Sequence, residues 1–224
     1  MPAPIIDQTL GDLKTRVAKD LRRSNIAEEI EEAIIGAIRD HDSERFWFNE
    51  SETYLLTLTP GVDEYTLSPQ SPIQEFIRID MIRAQQGPGT GPWYTVGNGD
   101  GNGADTHDDI EEMYSNPSSG QPARFASHDG TVIRFWPTPN LAYPIKIFGH
   151  YRIVPLIDDQ DSNSWTNEAR NLIRFTALKR LFTFPIRDQN QMQSADMAGN
   201  VELEYLRRET SRRMRRGRMQ PYYG

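Results

Sequence analysis

The residues best suited to chemistry lie in the loop over residues 97–109, whose sequence is GNGDGNGADTHDD. Counted from its second residue, oxygen-bearing side chains occupy loop positions 1, 3 and 5, a glycine occupies position 6, and an aspartate occupies position 12. This pattern is typical of calcium-binding loops, in which short carboxylate and amide side chains surround a hard cation and the glycine permits the turn. The candidate ligands are Asn98, Asp100, Asn102 and Asp109.

The calcium pattern in this loop is incomplete. Asn98 stands where aspartate is usual, and Asp109 stands where glutamate is usual. The segment before the loop is predicted to be a strand, whereas a helix precedes a calcium loop of this type. A glycine- and asparagine-rich composition also fits a flexible insertion between strands, and the sequence favours that interpretation.

Catalytic motifs are not recognisable in the sequence. The chain has no cysteine, which excludes cysteine nucleophiles and thiolate metal sites. It contains neither a Gly-x-Ser-x-Gly elbow nor a Gly-x-x-x-x-Gly-Lys phosphate loop. The histidines are scattered at His41, His107, His128 and His150. The sequence therefore predicts a protein that is not an enzyme and that needs no cofactor.

The C-terminal segment, residues 203–224, is rich in arginine. It carries seven arginines against two glutamates, a net charge of +5, whereas the whole chain has a net charge of −7, which leaves −12 for residues 1–202. Methionines and tyrosines lie among these arginines, and all three residue types are enriched at protein interfaces. An acidic body would repel nucleic acid beyond the reach of this segment. We therefore predict a protein partner for it.

Length and composition limit the class of protein. Only 37% of the 224 residues are hydrophobic, which is low for a self-sufficient globule and too high for a disordered chain. No run approaches the ~18 apolar residues of a membrane span. The first residues, MPAPIIDQTLGD, lack the basic start and apolar centre of a secretory signal. No association with a membrane is expected.

The first 45 residues contain two amphipathic helical patterns. Thr9 is a candidate N-cap for the first helix, and Asp12 would complete a capping box. Asn25 is the candidate N-cap of the second helix, which is predicted to run to about residue 45. The apolar stripes are Leu10, Leu13, Val17 and Leu21 in the first helix and Ile26, Ile30, Ile34 and Ile38 in the second. Because both stripes are narrow, these helices must pack against other elements.

Between residues 46 and 154 the hydrophobic period becomes that of short strands. The predicted strands cover residues 53–59, 64–68, 76–84, 92–96, 123–127, 131–136 and 144–154. Turn-forming residues separate them, and Asp129-Gly130 is a strong hairpin signal. Seven short strands with this spacing are typical of a β-sandwich or a small barrel.

Helical periodicity returns at residue 163. Asn163 or Ser164 is the candidate N-cap of a helix that is apolar on most sides and is predicted to end before Pro185. A more polar helical run follows from about residue 188 to residue 216. Gly199 weakens its middle by roughly 1 kcal/mol relative to alanine, so a hinged or disordered state is expected in the free monomer.

Two segments resemble bacteriophage head-to-tail adaptor (connector) proteins. Residues 45–67, with the sequence RFWFNESETYLLTLTPGVDEYTL, are similar to the F-W-F-N-E … T … G … Y-L opening of the β domain in that family. Residues 118–165 resemble its S-G-x-P, P-x-P and N-x-W pattern at Gly120-x-Pro122, Pro137-x-Pro139 and Asn163-x-Trp165. The resemblance extends from the second helix to about residue 184, and the loop over residues 97–109 departs from it.

This resemblance implies a virion structural protein at the neck of the phage, assembled in the host cytoplasm. Such adaptors form a ring, usually a dodecamer, beneath the portal protein, and a tail, nozzle or tail-tube protein docks below. Genomic DNA passes through the central channel without specific binding. The implied fold is α+β: N- and C-terminal helices form a helical bundle, an antiparallel β-sandwich or barrel-like domain is inserted, and a long C-terminal helical extension follows.

The resemblance also implies a division of the chain. Residues 1–45 and 161–202 are expected to form the bundle, residues 46–160 the β-rich tail-facing domain, and residues 203–224 the portal-binding extension. The expected portal contacts are Leu206, Arg207, Arg208, Arg212, Arg213, Arg215, Arg216 and Tyr222. Deletion of residues 203–224 is expected to abolish portal attachment and to leave the body folded.

Two other functions remain open at this point. A nucleic-acid-binding accessory protein would use the arginine-rich segment and would bind DNA with steeply salt-dependent affinity. A carbohydrate-binding β-sandwich would use Trp47, Trp93 or Trp136 as a stacking platform. It ranks last, because packing of the core is a sufficient role for these tryptophans.

Overall fold

The computed structural model describes residues 8–23, 25–66, 73–87, 89–97, 112, 118–128 and 132–217. The chain divides into two compact units, which we call the helical unit (residues 1–48 and 155–224) and the β unit (residues 49–154). The described part of the chain contains five helices and nine strands, so the protein is a mixed α/β protein with segregated elements. This agrees with the α+β class that the sequence predicts.

The five helices all lie in the helical unit. They are α1 (Leu10–Leu21), α2 (Ala27–His41), the single turn α3 (Ser164–Asn167), α4 (Arg170–Thr183) and α5 (Gln189–Gly217). Helix α1 begins as predicted: the Thr9 side chain accepts a hydrogen bond from the Asp12 amide, and the Asp12 carboxylate accepts one from the Thr9 amide. Asn163 caps the single turn α3 rather than α4.

The predicted start and end of α2 are wrong. Its N-cap is Ile26, without a side-chain hydrogen bond, and the helix ends at His41. Ile26 is 8% exposed and its carbonyl accepts the hydrogen bond of the Ile30 amide, so packing fixes this end of the helix instead of a polar cap. The following residues turn towards Phe46, which is fully buried.

Helix α4 is the centre of the helical unit. It packs against α1, α2 and α5, and five of its residues are buried: Leu172, Ile173, Ala177, Leu178 and Leu181. Bidentate ion pairs connect α4 to both N-terminal helices: Arg174 binds Asp20 in α1, and Arg180 binds Asp40 in α2. Neighbouring helices therefore complete the narrow apolar stripes of α1 and α2 within this unit.

Helix α5 is continuous through Gly199, so the predicted hinge is not observed. Gly199 is buried, and a side chain at this position would meet the Phe175 Cβ at 3.7 Å and the Thr176 Oγ1 at 3.9 Å. Both are ordinary contact distances, so a side chain would fit there, and it is the packing of α5 against α4 that offsets the low helix propensity of the glycine.

The nine strands form three sheets in the β unit. They are β1 (Glu50–Thr57), β2 (Glu64–Thr66), β3 (Ile73–Gln85), β4 (Trp93–Val96), β5 (Ser119–Gly120), β6 (Arg124–His128), β7 (Val132–Trp136), β8 (Thr138–Pro139) and β9 (Pro144–Ile153). The larger sheets are antiparallel, with strand orders β1-β9-β3-β4 and β2-β7-β6, and the third is a two-residue parallel pair of β5 and β8. Within the described residues none of these sheets closes into a barrel.

The predicted hairpin of β6 and β7 is confirmed, with Phe125 opposite Phe135. The strands on either side of residues 60–63 do not pair with each other: β1 pairs with β9, and β2 pairs with β7. Gly149 in β9 permits the central pairing with β3, because a Cβ there would lie 2.4 Å from the Arg78 carbonyl oxygen.

Candidate functional site

The arginine-rich segment begins as part of the folded helical unit. Leu206 is 2% exposed, and Thr210, one turn later, is 6% exposed. The Trp47 backbone amide donates a hydrogen bond to Thr210 Oγ1 at 3.3 Å. The first two turns of the segment therefore pack against the residues that follow α2. Leu206 is buried within the protomer and is not available to a partner.

Arg207 connects this part of α5 to Glu44, which lies three residues after the end of α2. Its Nη2 lies 2.5 Å from Glu44 Oε1, and its Nη1 lies 3.3 Å from Glu204 Oε1. The hydrogen bond to Glu44 is the main cause that raises the pKa of Arg207. Since both partners are partly exposed, this pair contributes orientation more than stability.

Arg213 makes the second attachment. Its guanidinium carbon lies 4.3 Å from the centroid of the Trp47 ring, a cation–π contact, and its Nε donates to Glu209 Oε1 at 2.9 Å. Arg212 binds the same carboxylate, with its Nη2 at 2.8 Å from Glu209 Oε2. The hydrogen bond from Arg213, followed by that from Arg212, lowers the pKa of Glu209.

The predicted contact residues thus fall into three groups. Leu206, Arg207 and Arg213 contact the protein's own residues. Arg208 and Arg212 are exposed on α5, where Arg212 binds Glu209 of the same helix. The backbone of Arg215 and Arg216 continues the helix to Gly217, whereas their side chains and Tyr222 lie outside the described residues.

Two of the residues that anchor the segment could not be found from the sequence. Glu44 and Trp47 are separated by more than 160 residues from the arginines that they contact. By contrast, the Glu209–Arg213 pair has the i, i+4 spacing that favours an ion pair on a helix, and this local signal is readable in the sequence.

The candidate calcium ligands Asn98, Asp100, Asn102 and Asp109 lie outside the described residues. In the part of the chain that the structure describes, there is no group of three or more histidine, aspartate or glutamate side chains that could hold a metal ion. Likewise, none of the helices with described residues has the length and apolar character needed to cross a bilayer.

The three candidate stacking tryptophans have different surroundings. Trp47 is half-buried beneath Arg213, and Trp136 is half-buried in β7. Trp93 is 36% exposed, and the Lys146 Nζ lies 4.5 Å from its ring centroid. Each ring therefore contacts its own unit.

His150 is buried in the β unit, and His41 is half-buried in the helical unit. His150 is 5% exposed in β9, and its Nε2 lies 3.0 Å from the Asn49 Nδ2. The Nε2 of His41 lies 3.1 Å from the Oγ1 of Thr176 in α4. His107 lies outside the described residues, and of His128 only the backbone, at the end of β6, is described.

Acidification should destabilise the helical unit through His41. Burial lowers the pKa of His41 and outweighs the charges of Asp40 and Glu44, which raise it; Arg207 and Lys179 lower it further. The unfolded chain therefore binds this proton more readily, so stability is complete above the ordinary pKa of 6.5 and falls as the pH drops towards the folded-state pKa. In thermal unfolding at pH values on either side of 6.5, His41→Gln should show a smaller loss of Tm on acidification than the unmodified protein. Equal losses would contradict this assignment.

Comparison with known proteins identifies one family. The model of a family described as "SU10 adaptor protein" matches residues 8–221. This range includes all five helices, all nine strands and most of the arginine-rich segment. No curated protein matches the chain.

Proposed function

Because this chain belongs to the SU10 adaptor family of phage head-to-tail adaptor proteins, we propose that it forms a ring between the portal and the tail and lines the DNA channel. Membership of this family makes the protein a structural component of the virion neck that interacts with portal and tail components. Our proposal goes beyond the family assignment in two respects. We propose that the protein forms a ring, which we take to be a dodecamer, and that DNA passes through this ring.

One observation supports the portal contact most strongly: the start of the arginine-rich segment is anchored on the helical unit, and the helix continues beyond these anchors. The Arg207–Glu44 pair and the Arg213–Trp47 contact hold α5 on the helical unit. Helix α5 then continues to Gly217. An anchored helix presents its last turn to a partner with little loss of conformational entropy, which favours affinity.

We assign the portal contact to the distal part of this segment. Leu206, Arg207 and Arg213 serve as internal anchors, whereas Arg212, Arg215, Arg216 and Tyr222 meet the portal. Arginine suits this task because its planar guanidinium can bind a carboxylate with two hydrogen bonds. The partner surface is expected to be acidic.

The two units take different roles in this proposal. The helices of residues 1–45 and 161–202 form the bundle that carries the extension, and residues 203–224 bind the portal. The β-rich part of the chain, residues 46–160, faces the tail, nozzle or tail-tube protein. The four-stranded and three-stranded antiparallel sheets would form the two layers of a sandwich, since the described residues of β7 and β9 largely alternate between buried and partly exposed positions.

The charge distribution fits a DNA channel. Residues 1–202 have a net charge of −12, against +5 for residues 203–224. Negative walls do not adhere to phosphate, so DNA can pass without being held. The same distribution speaks against the alternative of a nucleic-acid-binding accessory protein, which normally has a basic body.

Parallel binding assays with portal rings and with duplex DNA test this function. The full-length protein should bind isolated rings of its own phage's portal protein. Its affinity for DNA should be weak, with little change between about 50 and 200 mM salt. Tight DNA binding that falls about a thousandfold over that salt range, together with no binding to the portal, would favour the accessory protein instead.

A further inference from the structure

The solvent-facing side of α5 carries a row of large apolar residues, which we call the α5 ridge. Met197, Val201 and Tyr205 recur every four residues and therefore share one face of the helix. Their exposed fractions are 70%, 69% and 60%. Single exposed apolar residues are ordinary on protein surfaces, but an aligned row of three on one helix marks an interaction surface.

A positive charge extends the α5 ridge. Arg208 lies one turn after Tyr205, on the same side of the helix, and is exposed. Within the described residues Arg208 has no ion-pair partner, in contrast to Arg207, Arg212 and Arg213. A surface that complements the ridge must therefore offer apolar contacts together with an acidic group.

The same helical unit has a groove of that character between α2 and the end of α4. Its volume is about 480 Å³. The apolar lining includes Ala33, Leu181 and Phe184, and the Phe184 side chain is 67% exposed. We call this feature the α2–α4 groove.

The α2–α4 groove has an acidic rim. Glu29 and Glu32 line it, are exposed, and form no ion pair within the described part of the chain. The two basic residues of the lining are already paired, Lys179 with Asp196 and Arg180 with Asp40. The uncompensated charge at the groove is therefore negative, which is opposite to that of Arg208.

We infer that the α5 ridge of one protomer docks in the α2–α4 groove of a second copy, with Arg208 facing Glu29 and Glu32. Both surfaces belong to one folded unit, where the three ridge residues and Phe184 of the groove remain exposed among the described residues. A contact between two different surfaces of identical subunits is heterologous, and its repetition closes a ring when the rotation permits. The inference rests on the proposed ring and assigns the subunit interface within it.

Cysteine cross-linking tests the predicted pairing, because the chain contains no native cysteine. Val201→Cys places a thiol on the ridge, and Thr183→Cys places one in the groove lining. After assembly with portal rings and mild oxidation, the chain carrying both changes should give a ladder of covalent dimers, trimers and larger species. Each single variant should give no ladder. Dimers from Val201→Cys alone would show that ridges meet ridges and would overturn the inference.

Charge reversal provides an independent test. Arg208→Glu should weaken subunit association at least about tenfold, because it places like charges together at the interface. Adding Glu29→Arg and Glu32→Arg to the same chain should restore association. Arg23→Glu, the same change at an exposed arginine that belongs neither to the ridge nor to the groove lining, is the control and should leave association unchanged. Failure of the compensating changes to restore association would contradict the predicted pairing.

The outcome of these tests separates the interface from the proposed function. If the double-cysteine chain binds portal rings but gives no ladder, the ridge–groove pairing is wrong and the adaptor function stands. If the unmodified protein does not bind portal rings, the proposed function fails, and the subunit interface fails with it. If ridge variants lose portal binding while the subunits still cross-link through other positions, the ridge contacts the portal, which also overturns the inference.

Discussion

Replacing Trp165 with alanine should destabilise the helical unit by about 3–5 kcal/mol, since it removes a large, fully buried side chain. Trp165 is 1% exposed, and its ring makes edge-to-face contacts with Phe46 at 6.0 Å and Phe48 at 5.3 Å between centroids. These three rings pack together within the unit, so Trp165→Ala would leave a cavity with rigid walls. Urea unfolding followed by circular dichroism, which reports on the helices, measures the loss.

The matched control for this prediction is Trp93→Ala in the β unit. Trp93 is 36% exposed, and its cation–π contact with Lys146 is at the surface. We expect Trp93→Ala to lower the free energy of unfolding by less than about 1 kcal/mol. A similar small loss from Trp165→Ala would contradict the packing described for the helical unit.

Deletion of residues 215–224 should abolish portal attachment without unfolding the protein. The deletion keeps Leu206, Arg207 and Arg213, which anchor α5, and removes Arg215, Arg216, Arg218 and Tyr222. Loss of several charged interface contacts, at roughly 1.5–3 kcal/mol each, should lower the affinity for portal rings by at least about a hundredfold. Titration of immobilised portal rings with the shortened protein measures this change.

A charge-matched variant distinguishes a specific contact from a general effect of charge. Changing Arg22, Arg23 and Arg39 to glutamine removes three exposed positive charges from the same unit and should leave portal affinity nearly unchanged. The longer deletion of residues 203–224 is expected to reduce stability as well, since it removes Leu206 and Thr210 from the packed part of α5. Retention of portal binding by the 215–224 deletion would contradict the assignment of the contact.

Local signals in the sequence were sufficient for much of the fold. The Thr9–Asp12 capping box and the β6–β7 hairpin involve residues within a few positions of each other, so the sequence pattern alone specifies them. The start of α2 depended instead on burial of Ile26. Helix ends of this kind are determined by packing between residues that are distant in the chain, and a single sequence does not reveal which residues pack together.

In the candidate site, too, local features could be predicted from the sequence and long-range contacts could not. The arginine-rich segment is visible in composition, and its helical period is readable. Its anchoring at Glu44 and Trp47 is a long-range contact between the first and last parts of the helical unit. Packing of α5 against α4 also explains why Gly199 does not break the helix, since these tertiary contacts outweigh the low helix propensity of glycine.

Electron microscopy of the full-length protein mixed with portal rings of the same phage tests the central claim most directly. We predict a closed ring of the protein on one face of the portal, with the arginine-rich end of α5 at the contact and an open channel along the axis. Portal rings that remain bare at saturating protein concentration would contradict the account, as would the protein bound as scattered single copies.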